Sequence, residues 1–319
     1  MTEKIFIAGG GGCVGHYLYD LLAKDSNYQL YFLLRSPEKV LFDTTLPNIT
    51  VIRDDFANIE KHKDLLGEMD YAINLVADWG TTLGNYESPQ KFFDILEKSK
   101  CKKILYFSTA SILGYDTMVN DIMGDIGTPY IKGKYLMYKK IKESAVDQKT
   151  LILFPTWILG GDSKHPLSHG YNAINQVKHW FWLIRFFSID LKFHYIHAKD
   201  IARITGHLLK SNKTNGEFVL GNPAINADTF IDEACRFFGL RRYFKLRLNP
   251  DLIVRIARLT GKELSPWDMH CIENRNLEFK TVNCGTFGMD SEFIKVQSLL
   301  EEATGALPKD SPKIFNSAR

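Results

Sequence analysis

Long apolar runs are missing from this 319-residue chain. No stretch reaches the roughly 20 consecutive apolar residues that a membrane-spanning helix needs. The nearest, Trp180 to Ile189, is interrupted by Arg185. Cysteine is scarce: Cys13, Cys101, Cys235, Cys271 and Cys284 form an odd set of five, with no Cys-x-x-Cys pair. That argues against a disulfide framework and for reduced, mostly buried thiols in a cytosol-like compartment. A dominant charge is absent too. Net charge is +3, and Lys and Arg are spread along the chain without a long basic run, so composition gives no electrostatic footprint for nucleic acid. Met1-Thr2-Glu3-Lys4 leads directly into a strand-like run without the pattern of a signal peptide. The expectation is a cytoplasmic protein without a transmembrane segment. Internal repeats and low-complexity segments are also lacking.

What is present is an alternation. Apolar runs at Lys4–Ala8, Leu30–Leu34, Thr50–Ile52, Tyr71–Leu75, Lys103–Phe107 and Leu151–Phe154 read as strands. Amphipathic stretches at Cys13–Ala23, Ile59–Leu66, Pro89–Lys98 and Tyr130–Val146 read as helices. Continuous apolar strands separated by helices imply a parallel sheet covered on both faces. The expected class is α/β, a doubly wound parallel sheet of Rossmann type, which binds ligands at the carboxyl ends of its strands. Beyond Pro155 the rhythm changes. Residues 156–192 look loop-rich and aromatic. A strand–helix–strand return follows over 193–220, built on Phe193–Ile196, Ala198–Leu209 and Phe218–Leu220. Helices are expected over Asn226–Phe238, Asp251–Thr260 and Asp290–Ala303, and a surface tail over Pro308–Arg319. The expected organisation is a dinucleotide-binding domain, 1–155 with 193–220, and a smaller, mostly C-terminal substrate lobe, 156–192 with 221–319.

Three motifs follow one another in a telling order. Gly9-Gly10-Gly11-Gly12-Cys13-Val14-Gly15 joins the first strand to the first helix. It fits Gly9-x-x-Gly12-x-x-Gly15 and Gly10-x-Gly12-x-x-Gly15 alike. In either register the glycines allow a tight turn, and the helix N-terminus offers unpaired N–H groups to a pyrophosphate. The second strand ends at Arg35-Ser36, where an acidic residue would hold the ribose 2′-hydroxyl of NAD. A guanidinium there suits the 2′-phosphate of NADP, with NAD as the second candidate. Asp55, followed by Phe56, closes the third strand and is a candidate acceptor for the adenine amino group.

The fifth strand leads into Ser108-Thr109-Ala110-Ser111, which delivers hydroxyls to the carboxyl edge of the sheet. Tyr130-x-x-x-Lys134 follows. Residues four apart share a helix face, so the pattern sets a phenol beside an ammonium, which would lower the phenol's pKa. Thr109, Tyr130 and Lys134 are therefore the expected catalytic set: a hydrogen-bonding hydroxyl, a proton donor or acceptor, and a cation beside it.

These motifs resemble those of the extended short-chain dehydrogenases/reductases, the epimerase/dehydratase-like branch, over most of the chain. The resemblance includes Asn74-Leu75-Val76-Ala77, Phe154-Pro155-Thr156 and His197-Ala198-Lys199-Asp200 as well. It implies that Gly9, Gly12, Cys13, Val14, Gly15, Val76, Ala77 and Pro155 contact the dinucleotide together with Arg35, Ser36, Asp55, Phe56, Tyr130 and Lys134. It departs at Phe154, Tyr138 and Leu113, where the family more often has Arg, an acidic residue and Tyr. The implied activity is hydride transfer on a carbonyl/alcohol substrate. A nucleotide-sugar epimerase or dehydratase, or a non-catalytic nucleotide-binding sensor or assembly subunit, are the alternatives.

The aromatic stretch offers a mainly apolar substrate pocket: Trp79, Ser111 and Trp157 are candidate contacts, with some of Trp180, Phe181 and Trp182 nearby. The partner is expected to be a small and apolar molecule, and a homodimer is compatible with the sequence. His165 and His169 stand four apart, but Pro166 opposes a helix there, and no acidic or cysteine ligand is expected beside them, so no metal is expected.

Overall fold

The computed structural model describes residues 2–249 and 263–305, with Val254, Arg255, Leu259 and Gly261 between them. The tail and most of the helix expected over Asp251–Thr260 lie outside the described residues. The first half runs β1 (Glu3–Ala8), α1 (Cys13–Leu22), β2 (Tyr28–Leu34), β3 (Ile49–Arg53), α2 (Lys63–Gly67), β4 (Tyr71–Asn74), α3 (Thr82–Glu97), β5 (Lys103–Phe107), α4 (Met123–Ile126), α5 (Pro129–Lys142) and β6 (Thr150–Pro155). The second half runs β7 (Trp157–Leu159), α6 (His169–Val177), α7 (Phe181–Ile184), β8 (Phe187–Ile189), β9 (Lys192–Phe193), β10 (Tyr195–His197), α8 (Ala198–Lys210), β11 (Gly216–Leu220), β12 (Ile225–Asn226), α9 (Ala227–Phe237) and β13 (Leu246–Leu248). Two further helices, Pro266–Glu273 and Val296–Thr304, follow.

Seven strands form one parallel sheet in the order β11-β6-β5-β4-β1-β2-β3. The order reverses between β1 and β4, where successive crossovers leave on opposite faces and open a crevice at the strand carboxyl ends. Strand alternation explains why both faces are dry. Ile5, Ile7, Leu105, Leu151 and Leu153 pack under α1 and α8. Phe6, Ile104, Tyr106, Ile152 and Phe154 pack on the other face, under α3 and α5. A third apolar cluster joins α6, α7, α9 and the Val296–Thr304 helix through Tyr171, Phe181, Phe230, Phe237 and Leu299.

Several boundaries differ from expectation for identifiable reasons. The third long helix begins at Thr82, not Pro89, and carries that proline inside it. Thr81 caps its start by accepting from the Gly84 N–H, a signal that the proline outweighed in the sequence. Residues 156–192 are less irregular than expected, since Ser168 caps α6 by accepting from the Tyr171 N–H. The last helix starts at Val296 rather than Asp290. The helix read through Val146 stops at Lys142 and gives way to a 3-10 turn.

Candidate functional site

The glycine turn sits at the crevice, and each glycine has its own reason. Gly9 has φ +82°, and a Cβ there would lie 2.8 Å from the Val76 nitrogen. A side chain on Gly10 would strike the Phe32 ring, and one on Gly15 would meet the Gly10 carbonyl oxygen. Gly12 is different: the nearest atom to its Cβ would be 3.6 Å away. It is the N-cap of α1, and no side chain caps that helix. The first turn lines the cleft, and its N–H groups have no side-chain cap, which suits a pyrophosphate.

Arg35 extends into solvent from the end of β2, with 82% of its side chain exposed, and lies 3.8 Å from the Asp55 carboxylate. Arg35, Ser36 and Lys39 line one end of a cleft of about 1850 Å³. Lys39 was not singled out in the sequence, although it follows Arg35 by four residues in the same loop. Asp55 accepts from the Ala57 N–H at 2.9 Å and caps the 3-10 turn that starts at Phe56. One carboxylate oxygen is thus occupied by the turn, and the other faces Arg35.

The exits of β4 and β5 and the first turns of α5 form the floor. Lys134 is fully buried, and its Nζ donates to the Val76 carbonyl at 2.9 Å and the Phe107 carbonyl at 2.7 Å. It ties the two strand exits together. Gly133 permits this: a Cβ there would lie 2.6 Å from that of Asn85, so α5 and α3 meet at backbone distance. Tyr130 stands one turn earlier, its ring centroid 5.9 Å from the Lys134 Nζ. Thr109 accepts from the Ser111 N–H at 3.2 Å, which fixes its hydroxyl at the start of a 3-10 turn, and it lines the cleft beside Tyr130. Ser108 is buried beside it and lines the same cleft.

The electrostatics overturn one expectation. Lys134 does not make Tyr130 acidic. Desolvation pushes the phenol up to about 12, with the Thr109 hydroxyl pulling the other way. Desolvation also brings Lys134 down to about 7. Burial disfavours the charged form of each. The Tyr130 phenol is therefore protonated at neutral pH.

Above this floor stands a wall of aromatic rings. Trp79 stacks on Tyr130, and its loop is pinned by Asn85, which accepts from the Asp78 N–H and donates to the Thr81 carbonyl. His169, the first residue of α6, meets Trp79 edge-on at 4.8 Å. Trp157 packs edge-on against Phe193 at 5.6 Å. Ser111, Pro155, Val76, Ala77 and Phe56 also line the cleft, as do Trp267, His270 and Phe279, which sequence reasoning did not find. Their distance in the chain from every motif left no signal.

The expectation for Trp180, Phe181 and Trp182 is corrected: none lines the cleft. Phe181 is buried against Phe238, while Trp180 and Trp182 are exposed. His165 and His169 also part company. The His165 ring is held between Asp162 and Asp20 at 2.8 and 3.0 Å and stacks on Tyr17. Asp162 and Asp20 correct the expectation that no acidic residue stands beside this pair. His194 is fixed by the Asn222 carbonyl and the Phe279 N–H. Among the described residues, no group of three His, Cys, Asp or Glu side chains could hold a metal, and no helix is long and apolar enough to cross a membrane.

Residues 9–176 match the NAD(P)H-binding family. No curated protein matches the sequence. Solved structures resemble the fold at low identity. The terminal R domain of the myxalamid PKS-NRPS pathway superposes with TM-score 0.71 at 16% identity, covering 95% of this chain and 90% of that one. Vestitone reductase from alfalfa, Medicago sativa, gives 0.64 at 15%, covering 98% and 99%. A UDP-N-acetylglucosamine 4-epimerase from Methanobrevibacter ruminantium, in complex with UDP-N-acetylmuramic acid, gives 0.63 at 15%, covering 95% and 98%. The chain belongs to the NAD(P)H-binding family and has the fold of the extended short-chain dehydrogenases/reductases.

Proposed function

We propose that this protein is an NADP-dependent oxidoreductase that interconverts a carbonyl and an alcohol on a small, mainly apolar substrate. The observation that carries the reading is the convergence of Thr109 and Tyr130 at the floor of the cleft, beside buried Lys134. The donor set fits a nicotinamide dinucleotide. The α1 N-terminus has no side-chain cap, and Gly12 leaves it open. Arg35 and Lys39 would hold a 2′-phosphate at the far end, and Val76, Ala77 and Pro155 would flank the nicotinamide half. The dinucleotide, when bound, supplies or accepts the hydride. In reduction Tyr130 gives its phenolic proton to the substrate oxygen, and the Thr109 hydroxyl donates a hydrogen bond to the same oxygen, stabilising the charge that develops there. A donor whose pKa is raised to about 12 is still protonated at neutral pH. Lys134 holds the floor rigid and, in its protonated form, would donate its third hydrogen to the nicotinamide ribose.

The alternative, a nucleotide-sugar epimerase or dehydratase, would ask the substrate lobe for free cations. Arg275 lines the cleft, but its guanidinium donates to the Asp190 and Ile272 carbonyls at 2.9 and 3.2 Å and lies 3.6 Å from the Asp190 carboxylate. The wall formed by Trp79, Trp157 and Phe193 favours an apolar carbonyl compound instead. The test follows NADPH consumption against a panel of apolar ketones and aldehydes. Tyr130→Phe should bind NADPH as before and lose about 10²–10⁴-fold in turnover. Unchanged turnover in that variant would remove the mechanism. Turnover of nucleotide sugars alone would promote the alternative.

A further inference from the structure

The face of the substrate lobe built from residues 177–189 and 241–248 is apolar and basic together. Trp180 and Trp182 are 56% and 49% exposed, on either side of the buried anchor Phe181. The chain continues to turn helically here, since the Arg185 N–H bonds the Phe181 carbonyl and the Phe186 N–H the Leu183 carbonyl. Trp182 and Phe186 therefore share a side. Phe186 stacks on Phe244, centroids 5.0 Å apart, and Phe244 is 62% exposed. Strands β8 and β13 pair in register directly behind these rings. The Arg242 side chain, by contrast, is only 5% exposed. It bonds the Arg185 carbonyl and the Asp228 and Asp232 carboxylates, and so clamps the two segments into one surface.

Within each of the two segments, 178–185 and 241–247, the charged residues are all basic: Lys178 and Arg185 in the first, Arg241, Arg242, Lys245 and Arg247 in the second. Lys245 and Arg247 reach Asp232 and Asp190 at the rim. Lys178 and Arg241 have no carboxylate partner among the described residues. Exposed Trp and Phe interleaved with Lys and Arg is the composition that sits at the headgroup level of a bilayer, where rings enter the interface and cations meet anionic lipid. A second copy of this chain fits poorly, because a two-fold contact would lay like charges against each other. Strand β8 then leads within three residues to Lys192 and Phe193, which line the cleft.

We propose that this face docks the protein peripherally on an anionic membrane surface. The test is flotation of the full chain, loaded with NADPH, with vesicles of phosphatidylcholine alone or mixed with phosphatidylserine. The protein should float with the mixed vesicles, remain behind with the neutral ones, and be released by salt. Lys178→Gln with Arg241→Gln should weaken binding by roughly 25-fold, about five-fold for each charge removed. Trp180→Ser with Trp182→Ser should weaken it as well, at unchanged NADPH affinity and melting temperature. Because Trp180, Trp182 and Arg241 are exposed and Lys178 is half-buried with only Asn175 as its side-chain partner, folding should survive, and the two pairs are independent tests. No flotation with mixed vesicles, or flotation unaffected by both pairs, would overturn the proposal. So would a concentration-dependent dimer that the tryptophan changes abolish, since the face would then be a protein interface.

Discussion

Trp79 lies flat on Tyr130, with ring centroids 4.4 Å apart and planes inclined by 26°. The indole itself is 59% exposed, so it acts as the outer wall that keeps water from the phenol. Burial is the main cause of the raised Tyr130 pKa, about 12. Trp79→Ala should therefore let that value fall toward the ordinary 10 of tyrosine. The protonated phenol is the active form in reduction. The alkaline limb of kcat/KM, which reports the free enzyme, should move to lower pH in the variant. An alkaline limb that stays in place would show that other groups shield Tyr130.

The second prediction concerns Lys134. Its pKa in the folded protein, about 7, lies below its ordinary value of 10.5. Between those values the unfolded chain holds a proton that the folded one lacks. Stability without cofactor should rise with pH across that window and lose this contribution as pH falls toward 7. Lys134→Met removes the titrating group and should flatten the slope, while leaving the Val76 and Phe107 carbonyls without their donor. Urea midpoints of both proteins at pH 7 and pH 9 check this. Parallel slopes would mean that Lys134 is not desolvated as described.

Cofactor choice supplies the third. Arg35 is exposed at the cleft end with Lys39 in the same loop. Arg35→Asp should cost about ten- to hundred-fold in NADPH affinity, the scale of hydrogen bonds to a charged group, and leave NADH affinity equal or better. Titration by protein fluorescence measures both. Equal wild-type affinities for NADPH and NADH would sink the assignment.

How much of this was legible in the sequence follows from how local each signal is. The sheet strands of the first half came out within a residue or two because both faces are buried, and a continuous apolar run such as Lys103–Phe107 has little alternative. Gly9 to Gly15, Thr109, Tyr130 and Lys134 were readable because their spacing is short and the fold brings each motif to the same edge. The Lys134 environment was not readable. Pattern sets the phenol and ammonium on one helix face, but only the packing of Tyr106 beneath Lys134, at 5.0 Å, and the two carbonyls shows that burial dominates. Trp180 and Trp182 failed for a related reason. Aromatic content cannot distinguish a ring that lines a cleft from one on an outer face, and here Phe181 between them takes the buried side.

Gly12 and Gly15 should respond differently to the same added methyl group. At Gly15 the new Cβ would meet the carbonyl oxygen of Gly10, a backbone atom that cannot move aside cheaply. Inside a helix an alanine ordinarily gains about 1 kcal/mol over glycine, yet here overpacking should reverse the sign and cost about 1–3 kcal/mol. At Gly12 the nearest atom is 3.6 Å away, so Gly12→Ala should fold with a stability loss below about 1 kcal/mol, the size of a weaker N-cap. Its methyl group would instead stand over the uncapped N–H groups of α1, where a pyrophosphate would approach. Losing about 1.4 kcal/mol of that contact already weakens NADPH roughly ten-fold. Melting temperature and NADPH titration, measured on both variants, separate the two effects. Gly12→Ala should keep its melting temperature and lose cofactor, and Gly15→Ala should lose both. A Gly12→Ala protein that binds NADPH as tightly as the wild type would show that the dinucleotide does not approach the backbone there.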